Sequence, residues 1–397
     1  MDFSKIATHI RELAARIYPT IREIREHLHQ HPELSFEEHQ TASFIREVLG
    51  RWNIPYDVMA DTGTVAYLEG RDRTQYIALR ADIDALPIEE RNEVPYRSVR
   101  DGVMHACGHD VHTAWLLGAA RLLQHIQREL PYSVKLIFQP AEEKSPGGAS
   151  LLIQEGVLDG VRAIYGQHVA PDLEVNQVGF CPGPFMASTD ELHIRIIGRG
   201  GHAAIPHQTV NPIRIGAHLI SAIETRLGFE VSPFDSVVLN FGKFCGGHAV
   251  NVVPDQVEML GTLRTFKEDL RTQIKSWLKS EVPSWVRFWG GDAEVKVVEG
   301  YPPLINDHDA TQAVRQGVEL LFGDDHVVSI PPRMTAEDFA FYVQHVPGCF
   351  YRVGVKDPAW PSIRQVHTST FDIHPEALRV GMQTMSMAAF VGALTDA

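Results

Sequence analysis

The sequence predicts an α/β protein in which a domain with a mixed sheet and helices on both faces is interrupted by an inserted ferredoxin-like α+β domain. Three observations support this fold class. The chain has 397 residues, enough for two or three domains. Strands and helices alternate along both ends of the chain, as they do in layered α/β domains. The middle instead follows a β-α-β-β-α-β order, which is complete within about 110 residues.

Two helices come first. Apolar residues recur every three to four positions from Ile6 to Leu28, which predicts an amphipathic helix. Ser35 followed by Glu38 matches a capping box, so a second helix is expected from there to Gly50.

From residue 63 onward, strands and helices alternate. SVKLIF (133–138) is an unbroken apolar run, the kind of strand that is buried on both faces of a sheet. The other strands predicted for this domain are 64–70, 76–81, 161–166 and 349–355. Its remaining helices are expected to begin near Val111 and Pro375 and to cover 147–156, 309–322 and 337–345.

The inserted domain is predicted from the elements between residues 191 and 300. ELHIRIIG (191–198) alternates apolar and polar residues like a half-buried strand. It is followed by a helix at 212–227, strands at 236–244 and 257–266, a helix at 267–280 and a strand at 293–300. We therefore expect the inserted domain at 187–299 and the interrupted domain at 1–186 and 300–397.

Composition excludes several classes of partner. Acidic residues outnumber basic residues 50 to 36, which gives a formal net charge of −14. Nucleic acids and anionic membranes require a basic face, so neither is expected as a partner. The chain has no run of about 18 apolar residues, so the sequence predicts no membrane-spanning helix. The amino-terminal segment lacks the apolar stretch of a signal peptide, so we expect a cytoplasmic protein.

Potential metal ligands lie near the predicted ends of strands in a chain that has 20 histidines. Cys107 and His109 flank a glycine just before a helix, where side chains two residues apart can converge on one ion. A buried thiol beside a helix-capping Asp110 would explain the same residues. Glu142 and Glu143 directly follow strand 133–138, although two adjacent acids are often only a solvated turn. At a metal site, one could ligate the ion while the other holds a water as a general base.

Two histidines complete the set. His168 lies at the end of the next predicted strand, and His367 lies near the end of the returning domain. Either one alone would more often be a satisfied core or surface residue. Together with Cys107, His109 and Glu143 they supply five donors, enough for two divalent metal ions. Thiolate, imidazole and carboxylate suit Zn, Mn, Co or Ni better than Mg or Ca.

These residues resemble the hippurate hydrolase and N-acyl-amino-acid amidohydrolase branch of the co-catalytic metallopeptidase, or aminoacylase-like, superfamily. The resemblance runs in one order from about residue 20 to the carboxyl terminus. The matching motifs are HQHPELS (29–35), RADIDALP (80–87), HACGHDVH (105–112), PAEE (140–143), GG (147–148), GGHAA (200–204), PH (206–207), NVVPD (251–255), GTLRTF (261–266), EDF (337–339) and His367.

The resemblance implies a catalytic α/β domain and an inserted domain that mediates dimerisation, and hence a homodimer. By position, it also implies the metal ligands Cys107, His109, Glu143, His168 and His367. It implies that Glu142 is the general base and that Asp84 is the orienting aspartate. It further implies that His202 reaches the partner's active site and hydrogen-bonds the scissile carbonyl, and that Asn251 and Arg264 bind the substrate carboxylate. Cys107 stands where relatives have a bridging aspartate, and Asp82 stands where they have a histidine ligand.

We therefore expect a metal-dependent amidohydrolase that cleaves small-molecule N-acyl amino acids to a carboxylate and a free amino acid. Metal-activated water would attack the amide, and Glu142 would act as the general base. A dipeptidase or carboxypeptidase with the same metal site is the nearer alternative. A metal-containing binding protein without turnover is the alternative from another class.

Overall fold

The computed structural model describes residues 2–392. Its α-helices are α1 (Phe3–Gln30), α2 (His39–Arg51), α3 (His109–His125), α4 (Gly148–Gln154), α5 (Pro212–Glu230), α6 (Glu268–Phe288), α7 (His308–Phe322) and α8 (Ala377–Val391). None of the helices within these residues combines the length and the apolarity needed to cross a lipid bilayer.

The same residues form sixteen strands. They are β1 (Tyr56–Met59), β2 (Gly63–Leu68), β3 (Asp72–Asp82), β4 (Tyr132–Gln139), β5 (Val161–Glu174), β6 (Val178–Phe180), β7 (Gly183–Met186), β8 (Asp190–Ile197), β9 (Gly201–His202), β10 (Val237–Cys245), β11 (Val252–Val253), β12 (Gln256–Thr265), β13 (Asp292–Glu299), β14 (Leu304–Asn306), β15 (Val327–Ser329) and β16 (Gly348–Lys356).

The chain divides into two compact units. The first contains the residues up to Gly183, Ile305–Pro332 and those from Glu337 onward, and the second contains Pro184–Leu304 and Arg333–Ala336. The segment 333–336 falls in the second unit although the sequence analysis assigned it to the interrupted domain. Backbone pairing explains this placement, because the amide of Arg333 donates to the carbonyl of Phe185 at 2.8 Å. Such a contact, 148 residues apart in sequence, leaves no local signature.

The first unit is built on an eight-stranded mixed sheet with the order β1-β2-β4-β3-β5-β16-β6-β15. The central strands β4, β3, β5 and β16 are mutually parallel, and β1, β2 and β6 add antiparallel pairs. β4 is buried along nearly its whole length, as its continuous apolar run predicted. The mixed sheet confirms the predicted fold class for this unit.

The second unit has the predicted ferredoxin-like order. Its antiparallel sheet runs β10-β12-β8-β13, and α5 and α6 provide the two helices. Leu219 and Ile223 on α5 and Trp277 and Leu278 on α6 pack with apolar residues of the sheet into one core. The alternation in β8 (buried, exposed, buried) therefore reflects a sheet that packs against helices on one face.

One local prediction was wrong. The second helix begins at His39 rather than at a capping box, and Glu38 makes no side-chain cap to it. The Ser35 hydroxyl instead donates to Asp84, and the Glu38 carboxylate accepts from Thr62 and from the amide of Ala141. The helix predicted near 337–345 is present, as a 3₁₀-helix over Asp338–Gln344.

Candidate metal centre

The five predicted metal ligands come from four segments of the first unit. His109 is the first residue of α3, and Cys107 stands two residues earlier, across Gly108. Gly108 has a φ of 83°, and a Cβ at this position would lie 2.9 Å from a methyl group of Val169. Only glycine fits this left-handed turn, so it holds the thiol and the imidazole on one side of the chain.

The other three ligands come from the sheet and from one irregular segment. Glu143 follows the end of β4, as predicted. His168 lies inside β5, which continues to Glu174, and not beyond the end of a strand as predicted. His367 belongs to an irregular segment before α8, has a φ of 60°, and donates its amide to the carbonyl of Ala106 at 2.8 Å.

The ligand atoms lie close to one another. Cys107 Sγ is 3.4 Å from His168 Nε2 and 3.3 Å from His367 Nε2. Glu143 Oε1 is 3.2 Å from His367 Nε2 and 3.9 Å from His109 Nε2. Tetrahedral coordination with bonds of 2.0–2.3 Å would place ligand atoms about 3.3–3.8 Å apart. The side chains are therefore spaced as they would be around metal ions.

These atoms form two groups of three that share one thiol. Cys107, His109 and His168 make one group, and Cys107, Glu143 and His367 make the other; the ligand atoms within each group lie within 4.8 Å of one another. A shared thiol between two such groups is the arrangement expected of a bridging ligand. It corresponds to the position where the resemblance places a bridging aspartate.

Hydrogen bonds set the orientation of two ligand imidazoles. Asp84 Oδ1 lies 3.1 Å from Nδ1 of His109, and the carbonyl of Val169 lies 2.8 Å from Nδ1 of His168. An acceptor at Nδ1 holds the proton there and leaves Nε2 with a lone pair for a metal ion. In each imidazole, Nε2 is the atom that faces the other donors.

The donor set fits divalent cations. His109 Nε2 is buried and has no hydrogen-bond partner among the residues that the structure describes, which is expected for a metal-ligating atom. Hydrogen bonds with Cys107 and Glu143 raise the pKa of His367 to about 10, since these donors concentrate negative charge beside the imidazole. A divalent cation among the same donors would take the place of that proton.

A further group, Asp82 with His109 and His112, is not arranged to bind an ion. His112 Nδ1 donates to Asp82 Oδ1 at 2.6 Å, and His112 Nε2 accepts the amide of Val169 at 3.0 Å. Both ring nitrogens of His112 are thus engaged. Asp82 also accepts a hydrogen bond from Arg80 at 2.7 Å. Its oxygens therefore bind side chains around the ligands rather than an ion.

Glu142 lies among buried carboxylates. It forms a close group with Glu337 and Asp338, and the amide of Asp338 lies 3.4 Å from Glu142 Oε1. Burial, followed by the charges of Glu337, Glu143 and Asp338, raises the pKa of Glu142 well above its ordinary value. The Arg80 guanidinium partly balances this charge, at 3.0 Å from Glu337 and 2.8 Å from Asp338.

Sequence reasoning missed two supporting residues. It interpreted Ser35 and Glu38 as a helix cap, whereas Ser35 donates to Asp84 at 2.7 Å. Glu38 accepts the amide of Ala141 at 2.8 Å and so holds the turn, at a φ of 51°, that leads into Glu142. Glu38 is fully buried, but the sequence carries no sign of that burial.

The remaining predicted site residues belong to the second unit. His202 and Asn251 are exposed on a small two-stranded element in which Val252 pairs with His202. The amide of Ala203 donates to the carbonyl of Asn251 at 3.0 Å, so the two segments are tied together.

Arg264 lies on β12 and is partly buried, and its Nε donates to Thr262 at 3.3 Å. Burial lowers its pKa.

Comparison with known proteins identifies relatives over most of the chain. The family model described as Peptidase family M20/M25/M40 matches residues 78–390. An N-acetyl-L-cysteine deacetylase from Bacillus subtilis (strain 168) is 44% identical over 82% of this chain and 78% of its own. A thermostable carboxypeptidase 2 from Saccharolobus solfataricus is 34% identical over 93% of this chain and 94% of its own.

A solved structure has the same fold. The Bacillus subtilis YXEP protein, described as a dinuclear metal binding peptidase from the M20 family, superposes with a TM-score of 0.84 at 34% identity. The match covers 96% of this chain and 100% of the solved one. The donor set and this relationship together indicate a centre for divalent metal ions.

Proposed function

This chain belongs to the Peptidase family M20/M25/M40, and on that premise we propose that it is a metal-dependent amidohydrolase of N-acyl amino acids. It would cleave their amide to a carboxylate and a free amino acid. One observation carries the proposal: Glu142, a buried carboxylate, lies beside two ligand groups that share Cys107. The relative described as an N-acetyl-L-cysteine deacetylase supports the substrate class.

Glu142 is the proposed general base. When bound, the metal ions would lower the pKa of a water molecule towards neutrality and polarise the amide carbonyl. Glu142 would take the proton from the attacking water and return it to the nitrogen of the leaving amine. Its carboxylate forms a close group with His109 and Glu143, two of the residues that would hold the ions.

The donor geometry supports the proposed ligand roles. Cys107, His109 and His168 would hold one ion, and Cys107, Glu143 and His367 would hold the other. Asp84 would keep His109 in the tautomer that binds through Nε2. A thiolate with imidazoles and a carboxylate favours Zn, Mn, Co or Ni as the metal.

The second unit supplies the remaining proposed roles. His202 would reach the active site of the partner in a homodimer and hydrogen-bond the scissile carbonyl, where negative charge develops. Asn251 and Arg264 would bind the substrate carboxylate, a task for which a planar guanidinium is suited. These assignments rest on the family resemblance and on the exposure of His202 and Asn251. The proposed location in the cytoplasm is a prediction from the sequence.

A peptidase is the second candidate, because one relative is described as a carboxypeptidase. The two candidates differ in the group next to the scissile bond. An acyl amino acid carries an uncharged acyl group, whereas a dipeptide carries a cationic amine. That difference can be tested directly with substrates.

The decisive experiment measures amino-acid release from N-acetyl and N-benzoyl amino acids and from simple dipeptides. Each is assayed with added Mn²⁺ or Zn²⁺ and again after chelation. Chelator-sensitive cleavage of acyl amino acids but not of dipeptides is the expected result. Cleavage of dipeptides alone would move the assignment to a peptidase. Metal-loaded protein that binds acyl amino acids without hydrolysing them would indicate a binding protein.

A further inference from the structure

Helix α1 buries two polar side chains that the proposed mechanism does not use. Arg25 has an exposed fraction of 3% and His29 of 0%, although both belong to a helix whose other face is solvated. A fully buried guanidinium must be paired to be tolerated. The partners of Arg25 therefore show what this part of α1 stabilises.

Arg25 joins two acids that are distant in sequence. Its Nε donates to Asp110 Oδ2 at 2.8 Å, and its Nη2 donates to Asp372 Oδ1 at 3.0 Å. Asp110 is the residue after His109, in the first turn of α3. Asp372 lies on the same irregular segment as His367, between β16 and α8. One side chain thus connects a segment of the first ligand group to a segment of the second.

The neighbours of Arg25 strengthen this connection. His29 Nδ1 lies 2.8 Å from the same oxygen of Asp110, and His29 Nε2 lies 3.2 Å from Glu90. The Tyr96 hydroxyl donates to Asp372 Oδ2 at 3.0 Å, and the guanidinium of Arg25 lies 4.7 Å from the centroid of the Tyr96 ring. Both carboxylate oxygens of Asp372 are therefore occupied.

The two ligand segments differ in how else they are held. His109 is part of a helix and hydrogen-bonds Asp84. His367 has a half-exposed side chain, and no hydrogen bond to its Nδ1 exists among the described residues. The amide of His367 donates to Ala106. Further along the segment, the carbonyls of Ser369 and Phe371 accept from the backbone amide of Arg91 and the side chain of Asn92. Asp372 adds its contacts with Arg25 and Tyr96. The position of His367 thus depends more on Arg25 than the position of His109 does.

A purely structural role is the competing interpretation, since a buried ion pair can simply fasten α1 to the rest of the unit. Loss of such a pair would weaken the whole unit and both ligand groups alike. The contacts of Arg25 instead predict unequal effects on the two ligand groups. Asp110 and Asp372, which Arg25 binds, adjoin the two ligand segments, and only the segment with His367 is irregular.

We propose that Arg25 is a positioning residue that sets the place of His367, and hence the geometry of the Cys107, Glu143 and His367 ligand group, through Asp372. This inference rests on the proposed metal centre. It assigns to α1 the control of one of the two metal ions and not the other.

The test measures metal binding rather than turnover. Metal-free wild type, Arg25→Met and Tyr96→Phe are titrated with Zn²⁺ and with Co²⁺ in competition with a chromophoric chelator. Arg22→Met is the matched control, because Arg22 lies one turn earlier on α1 and its side chain is 53% exposed in a pair with Glu26. Circular dichroism and urea unfolding verify that each variant is folded.

Wild type and Arg22→Met are expected to bind two equivalents. In Arg25→Met one equivalent should bind about 10–100-fold more weakly while the other is unchanged, which is the range for residues that support metal ligands. Tyr96→Phe, which removes a single hydroxyl, should weaken the same equivalent by less. Tyr96→Phe also tests the inference if Arg25→Met does not fold.

Two reference variants identify the affected ion. His367→Ala should weaken the same equivalent as Arg25→Met, and the double variant should lose less than the sum of the two. His168→Ala should weaken the other equivalent, and its effect should add to that of Arg25→Met.

Three results would overturn the inference: unchanged binding of both equivalents in folded Arg25→Met and Tyr96→Phe, equal weakening of both, or additivity with His367→Ala. Wild type that binds no metal would overturn the proposed function itself, and the inference with it.

Discussion

Asp84 provides a sharp test of the metal centre, because one carboxylate supports both ligand groups. Its Oδ1 lies 3.1 Å from Nδ1 of His109. Its Oδ2 accepts the hydroxyl of Ser35 at 2.7 Å and the amide of Glu143 at 3.0 Å. Asp84→Asn keeps the size and shape of the side chain but replaces one acceptor oxygen by an amide that only donates.

The magnitude follows from these three contacts. The Asn oxygen can take the place of Oδ2 and keep the contacts with Ser35 and Glu143. Its NH₂ group then faces the Nδ1–H of His109, so a charge-assisted hydrogen bond is replaced by two opposed donors. Loss of such a bond costs about 1.5–3 kcal/mol. That agrees with the 10–100-fold loss of metal affinity, or about 1.4–2.8 kcal/mol, that is usual for partners of metal ligands.

The assay is a chelator-competition titration of metal-free protein with Zn²⁺. The expected result is weakening of the equivalent bound by His109, with the fold retained by circular dichroism. Asp101→Asn makes the same chemical change on an exposed turn and should bind both equivalents as wild type does. Wild-type affinity in folded Asp84→Asn would refute the reasoning, since it would mean that His109 does not depend on Asp84.

Three further outcomes are expected. Glu142→Gln should reduce kcat by about 10²–10⁴-fold while metal content is unchanged, and loss of metal from this variant would contradict its role as a base. Gly381→Ala should destabilise the protein by about 3 kcal/mol or more in urea unfolding, because the new Cβ would lie 2.1 Å from the ring of Trp115. Gly50→Ala is the control. A Cβ at Gly50 would meet no atom within 4 Å, so this variant should be neutral or stabilising. Burial and a nearby guanidinium lower the pKa of His29, but the facing carboxylates outweigh them and raise it above the ordinary value. The stabilisation from His29 should therefore be complete below about pH 6.5 and decline as pH rises through the higher folded-state pKa, so a destabilisation by His29→Gln that grew with pH would contradict this sign.

Regular elements were predictable where a single chain segment carries its own signal. The apolar run 133–138 corresponds to β4, and the alternation in 191–198 corresponds to β8. A strand buried on both faces needs a continuous apolar run, whereas a strand buried on one face needs alternation, so the order of residues is enough to predict each. The capping box at Ser35 failed for the opposite reason. Its hydroxyl is taken by Asp84, 49 residues away, and that competition is absent from the local pattern.

The candidate site shows the same division. Residue types and spacing alone indicated Cys107 with His109 and the pair Glu142-Glu143 as metal-site candidates. They could not sort these donors into groups, because which atoms share an ion depends on distances between segments. The shared thiol, the engagement of both nitrogens of His112 and the acids around Glu142 all arise from such distances.

By itself, the sequence of this protein determined the order of its helices and of its strands of six residues or more, the mixed α/β class and the side chains able to bind metal. Periodicity and ligand chemistry are local properties, so residue order is sufficient to express them. Only the tertiary structure decided that Arg25 on the first helix holds Asp110 and Asp372, which are 262 residues apart in sequence. Burying a charge is costly unless partners converge on it, and that convergence exists only after the chain has folded.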